Sequence, residues 1–253
     1  MKKVFKITLV SILFLAVIII GVIIIYILQN KEKVEVADNT NNINTETNID
    51  EVGYDAYSKI AKEDIISDGG PIIDYIRDIS DNNVNYNESN YIIIGKVQTI
   101  DGGINYNPKE KVYTVPETIG KVKVERVLKG QLDEKVIPYI RYGGIITAAE
   151  YQLSLFPSEY SSKNHFLNTL TEEEKNHKYI NERAMGDIDI EQGKTYLMYL
   201  IYAEDYERYA ISFVQYGLRE VDVTTLGSDN KTIKVKNNDT GEWEMLDTII
   251  PNM

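Results

Sequence analysis

Residues 91–97 read Tyr91-Ile92-Ile93-Ile94-Gly95-Lys96-Val97, and Asp101-Gly102-Gly103 follows closely. A short β-branched and aromatic run bounded by turn residues is a strand pattern, too brief for a buried helix. The same pattern recurs further along. Val122, Val124 and Leu128 alternate with Lys121, Lys123 and Glu125, predicting a half-buried strand that closes at Lys129-Gly130. Val136 to Tyr142 is the next strand, ended by Gly143-Gly144, and residues 145–155 are a weaker one. Gly193–Ala203 and Arg208–Tyr216 form a strand pair around Glu204-Asp205. Within it Tyr196–Leu200 is apolar on both faces, as in a central strand covered on its outer side by the N-terminal helices. The tail predicts a hairpin, Thr232–Lys236 with Glu242–Leu246.

Helical signals are fewer. Residues 54–66 carry Tyr57, Ile60 and Ala61 at helical spacing, and Gly69-Gly70 breaks them. Pro71 opens a second short helix with Ile72, Ile73, Ile76 and Ile79 on one side. Residues 157–185 read as a loop and then a helix, with Thr171 and Glu174 at capping-box spacing. Several short strands, one inserted helix and no βαβ rhythm predict a mainly β fold with added helices, an antiparallel barrel or sandwich.

The order of these motifs resembles the netrin-like, or tissue-inhibitor-of-metalloproteinases-like, form of the OB-fold. The resemblance rests on Gly95-Lys96-Val97, on Lys123-Val124-Glu125-Arg126-Val127-Leu128-Lys129-Gly130, and on Gly193-Lys194-Thr195-Tyr196-Leu197. It spans roughly residues 90–220 and implies an OB-like antiparallel β-barrel. The Lys-Gly and Gly-x-x-Tyr-Leu arrangement also resembles uncharacterised membrane-anchored surface proteins of Gram-positive bacteria. Animal inhibitors of the family chelate a protease zinc through an N-terminal cysteine and its amine. This chain has no cysteine, so only the scaffold carries over.

From Ile7 to Leu28 no residue is charged, and Ile, Val and Leu dominate. As a helix this run is roughly 33 Å long, enough for a hydrocarbon core of about 30 Å. Lys2, Lys3 and Lys6 precede it, while Lys31 and Lys33 follow. The excess of basic residues predicts a cytoplasmic N-terminus and an extracellular domain, a single-pass protein of the cell membrane. A cleaved signal peptide is the rival reading. Its apolar core is shorter, and Tyr26-Ile27-Leu28-Gln29-Asn30 offers no small pair for cleavage. The expected organisation is therefore a cytoplasmic stub and anchor (1–30), a flexible polar linker (31–53) and a helical lead-in (54–89). An OB-like barrel (90–225) with a helical insertion (157–190) and a C-terminal hairpin and tail (226–253) complete it.

Beyond the anchor there are 24 basic against 39 acidic residues, a balance that repels nucleic acid and anionic lipid. The absence of cysteine removes disulfides, thiolate metal sites and cysteine nucleophiles together. It fits a bacterial surface protein of Gram-positive type better than an animal secreted module. His165 and His177 lie twelve apart near Glu172, Glu173 and Glu174 and match no zinc spacing. Asp187, Asp189 and Glu191 alternate before Gly193, but an EF-hand requires glycine where Gln192 stands. Glu150 with Glu159, or Glu204 with Asp205, could be posed as a glycosidase pair, an arrangement an acidic chain produces by chance. No serine elbow or phosphate loop is present.

Tyr139, Arg141 and Tyr142 beside Gly143-Gly144 are the best contact surface in the sequence. Tyr and Arg are favoured at binding hot spots, and glycines admit a partner backbone. The competing reading sends Tyr139 inward and leaves the glycines to turn the chain. The sequence thus predicts a non-catalytic, membrane-anchored binding module with no cofactor, whose partner is a protein or a cell-envelope polymer. The alternative is a cell-envelope hydrolase or metal-dependent enzyme using carboxylates and histidines of the insertion.

Overall fold

The computed structural model describes residues 53–70, 75–154, 164–227 and 229–250. The apolar run 7–28 and all but the last residue of the linker 31–53 lie outside them. Among the described residues no helix is long and apolar enough to cross a membrane.

The domain is mainly β, as the strand patterns require. Its frame is a hairpin of two long strands, β2 (Tyr91–Asn107) and β3 (Val112–Lys129), paired antiparallel. β4 (Val136–Tyr142) continues antiparallel from β3, with Tyr139 opposite Gly120. β7 (Thr195–Ala203) and β8 (Arg208–Ile211) are the predicted pair around Glu204-Asp205. β8 lies parallel to β4, and β7 lies antiparallel to the first half of β2, with Met198 opposite Ile93. β9 (Leu218–Glu220) also adds to β7.

Alternation along these strands builds two cores. Ile93, Val97, Val122, Ile137, Tyr139, Met198 and Leu200 meet on one face. Ile92, Ile94, Leu197 and Tyr199 point the other way and are equally buried. Each fully buried side chain of this size contributes about 1.5–3 kcal/mol. The expectation that N-terminal helices cover this second face holds only in part: Ile79 and Tyr86 of the lead-in pack against it, but the fully buried cover is C-terminal, Val221, Ile233, Val235, Leu246 and Ile249. The tail forms the expected hairpin, β10 (Lys234–Lys236) with β11 (Trp243–Met245), and a short helix (Leu246–Ile249) follows it.

Other expectations are revised. Residues 54–66 are not a helix: two 3-10 turns, Tyr57–Lys59 and Lys62–Asp64, lead into β1 (Ile65–Asp68). Asp55 accepts hydrogen bonds from the Tyr57 and Ser58 amides and caps the first turn, but the chain goes extended at Ile60 before a second turn can add to it. Of the helix expected from Pro71, residues 71–74 lie outside the described set. Residues 75–80 are not helical, and α1 is Asn82–Glu88, N-capped by Asp81. Asp101-Gly102-Gly103 does not end a strand but bulges within β2.

The weak strand after Gly143 is short: β5 (Gly144–Thr147), then α2 (Ala148–Tyr151), whose capping box joins Thr147 and Glu150. In the insertion the capping box of Thr171 and Glu174 opens α3 (Glu172–His177). β6 (Tyr179–Glu182) follows, and three strands, β1, β6 and β5, make a small separate sheet with β1 parallel to β6.

Candidate binding cleft

Where the small sheet meets the end of β4, the chain encloses a cleft of about 350 Å³. Its position follows from Gly143. At φ 82° this residue turns the chain from β4 into β5, in a region that glycine enters without steric cost. A Cβ on Gly143 would stand 2.8 Å from the Glu182 carbonyl oxygen, and one on Gly144 would stand 2.8 Å from the Tyr57 hydroxyl. The glycines do admit close neighbours, and these are the chain's own: the Glu182 carbonyl of β6 at Gly143, and Tyr57 with Thr118 and Glu117 of β3 at Gly144.

A relay of hydrogen bonds fixes the corner. The Ile145 amide donates to the Tyr57 hydroxyl at 3.1 Å, and the Thr118 hydroxyl donates to the Gly143 carbonyl at 2.7 Å. The Tyr57 hydroxyl therefore gives its proton to Thr118, 2.9 Å away. Burial pushes the Tyr57 phenol above its ordinary pKa, so it stays a neutral donor.

Arg141 forms one wall. Its guanidinium is almost fully buried, donates to the Ile188 carbonyl at 2.7 Å and forms a salt bridge with Asp187. Burial pushes the Asp187 carboxyl upward, while Arg141 pulls it back. Among the described residues the Arg141 Nε and the Asp187 Oδ2 have no hydrogen-bond partner. Glu182, itself buried, accepts from the Tyr142 hydroxyl at 3.0 Å. Asp55, Asp189, Glu191 and Gln192 complete a wall rich in planar polar groups.

Four of the five residues singled out as a contact surface, Arg141, Tyr142, Gly143 and Gly144, line this one cleft. Tyr139 does not: its side chain is wholly buried in the first core, so its place on the contact surface is corrected. The reading missed Asp55, Tyr57 and Glu182, which are remote in sequence and belong to no motif.

The other candidates are placed elsewhere or tied up. The alternating carboxylates each face a cation: Asp187 meets Arg141, Asp189 meets Arg183 at 3.1 Å, and Glu191 meets Lys194 at 2.8 Å. Glu150 caps α2, and Asp205 pairs with Lys109 at 3.1 Å. His177 is exposed at the end of α3. Glu159 and the side chain of His165 lie outside the described residues. Among those residues no group of three or more His, Asp or Glu is placed to hold a metal ion.

Compared with known proteins, the chain matches no family model, no curated protein and no solved structure.

Proposed function

We propose that this chain is a membrane-anchored binding module, non-catalytic, which displays an OB-like β-domain outside the cell and takes its partner in the cleft beside Arg141. The observation that carries the reading is the cleft itself, with Arg141, Tyr142, Gly143 and Gly144 gathered on its wall. Concave sites of this volume with a few placed polar groups are ordinary ligand sites. The partner is a protein or a cell-envelope polymer.

The OB-like barrel draws support from the pairing order. β2 bonds to β3, β3 to β4, β4 to β8, β8 to β7, and β7 again to β2, with only β4 and β8 parallel. The anchor draws support from the uncharged run 7–28 and its flanking lysines.

Because the chain lacks cysteine, single cysteines placed at Val4 and Lys231 test the topology without background. A membrane-impermeant maleimide should label position 231 on intact cells and position 4 only after lysis. Equal labelling of both on intact cells, or release of the chain by alkaline carbonate, would contradict the anchor. For the cleft, Gln192→Trp fills the opening, and partner retention should then be lost without loss of folding.

A further inference from the structure

Outside the cleft, Glu117 of β3 meets the turn 204–207 between β7 and β8. Its Oε2 is inaccessible to solvent and has no hydrogen-bond partner among the described residues. The hydroxyl of Tyr206, on that turn, donates to the carboxyl and lies 3.3 Å from the Thr114 hydroxyl. Burial pushes the Tyr206 phenol up to about 12, so it stays a neutral donor. A protonated carboxyl in this place leaves one neutral polar group unmatched. A carboxylate leaves a charge unmatched, at far greater cost.

The two sides of this contact are not equally firm. On β3, the Pro116 carbonyl accepts from the Gly143 amide at 2.9 Å, and the Thr118 hydroxyl donates to the Gly143 carbonyl at 2.7 Å. Glu117 itself bridges to Gly143 and pairs with Ile104 of β2. The turn is held more lightly, by the Tyr206 hydroxyl and by the Lys109–Asp205 ion pair, 3.1 Å between half-exposed side chains. Glu207 also takes a φ of 52°, a left-handed conformation that glycine would suit better. The charges on the surrounding elements are Glu204, Asp205 and Glu207 of this turn, Lys109, Glu110 and Lys111 of the turn between β2 and β3, and Arg141 of β4. Lys109 is taken up by Asp205 and Arg141 by Asp187, and among the described residues none of these groups gives Oε2 a donor.

We propose that the turn 204–207 is a pH-sensitive flap, closed over Glu117 while the carboxyl carries its proton and opened to water when the carboxyl ionises. The opening is local. Tyr206 swings outward with the turn, Oε2 gains hydration, and the pairing of β3 with β2 and β4 stays intact. Rising pH therefore favours the open turn, and reprotonation closes it. The flap is independent of what the cleft binds.

The test is hydrogen exchange, read by mass spectrometry on the full chain in phosphatidylcholine nanodiscs and corrected for intrinsic exchange. Between pH 5.5 and pH 8.5, protection of the amides in 204–207 should fall by at least about tenfold. Opening releases a proton and so gains about tenfold per pH unit up to the pKa of the closed state. Amides at the centre of the sheet, Ile93 and Met198, should not change. In Glu117→Gln the turn should stay protected at both pH values. Asp205→Asn should loosen it equally at both and keep the pH response. Protection that ignores pH, or a response that survives Glu117→Gln, would overturn the proposal. So would a response that vanishes in Asp205→Asn, which would assign it to the surface ion pair, and that variant keeps the test decisive if Glu117→Gln folds poorly. Loss of protection at Ile93 and Met198 together with the turn would show the whole sheet opening and no separate flap.

Discussion

Glu117 on β3 is the residue whose surroundings most alter its chemistry. It is half-buried, its Oε2 has no partner among the described residues, and burial pushes its carboxyl up to about 7 despite a hydrogen bond from Tyr206. In the unfolded chain the same group titrates near 4.5. The folded state therefore holds the extra proton between those values. Its stabilising contribution is complete below pH 4.5 and is lost as the pH rises through about 7. Glu117→Gln should match the wild type in stability at pH 4 and exceed it at pH 8 by about 2 kcal/mol, a Tm difference of roughly 4–8 °C. A difference that ignores pH would refute the assignment. Arg141 and Asp187 make the second residue-scale case. Asp187→Ala strands a buried guanidinium and should cost about 3–5 kcal/mol in urea unfolding. Asp189→Ala breaks an exposed pair and should cost less than about 1 kcal/mol. Similar losses would mean that the two pairs do not differ in burial as described.

At the scale of elements, the C-terminal segment is a lid for the second core. Ile233 and Val235 are fully buried over the outer face of β2 and β7, whereas Trp243 stands 44% exposed. Ile233→Ala should destabilise by about 2–5 kcal/mol and Trp243→Ala by under about 1 kcal/mol, read from denaturant midpoints. Comparable small effects would show that the tail is dispensable. That Tyr196–Leu200 needed a cover was legible from its unbroken apolar run. Which segment supplied the cover was not, because amphipathic pieces at either end of the chain present the same pattern. Asp101-Gly102-Gly103 was legible as a backbone irregularity but not as a bulge. The φ of 137° at Gly102 bends β2 instead of ending it, and a turn uses the same residues. The small sheet was illegible for another reason: Ile65–Asp68 and Tyr179–Glu182 are four residues each and meet across more than a hundred positions. Arg141 to Gly144 could be picked out as one dense local motif, while Asp55, Tyr57 and Glu182 join it only through tertiary contacts that no local spacing encodes.

For the molecule as a whole, the pieces favour a division of labour. The long β2–β3 hairpin and β7 carry stability through two cores, while the small sheet and the loop before β7 add a polar cleft at one corner. That corner costs the fold a buried ion pair and orphaned polar atoms, features that packing alone would not select. In the proposed arrangement, the anchor keeps this cleft near the outer membrane surface, where local concentration makes modest affinity sufficient. The most direct test places a photo-crosslinking amino acid at Asp189, on the lip of the cleft, and separately at Trp243, remote from it, in cells that produce the full chain. The account predicts a discrete adduct in the membrane fraction from position 189, suppressed by Gln192→Trp, and none from position 243. No adduct from position 189, or equal adducts from both, would contradict it.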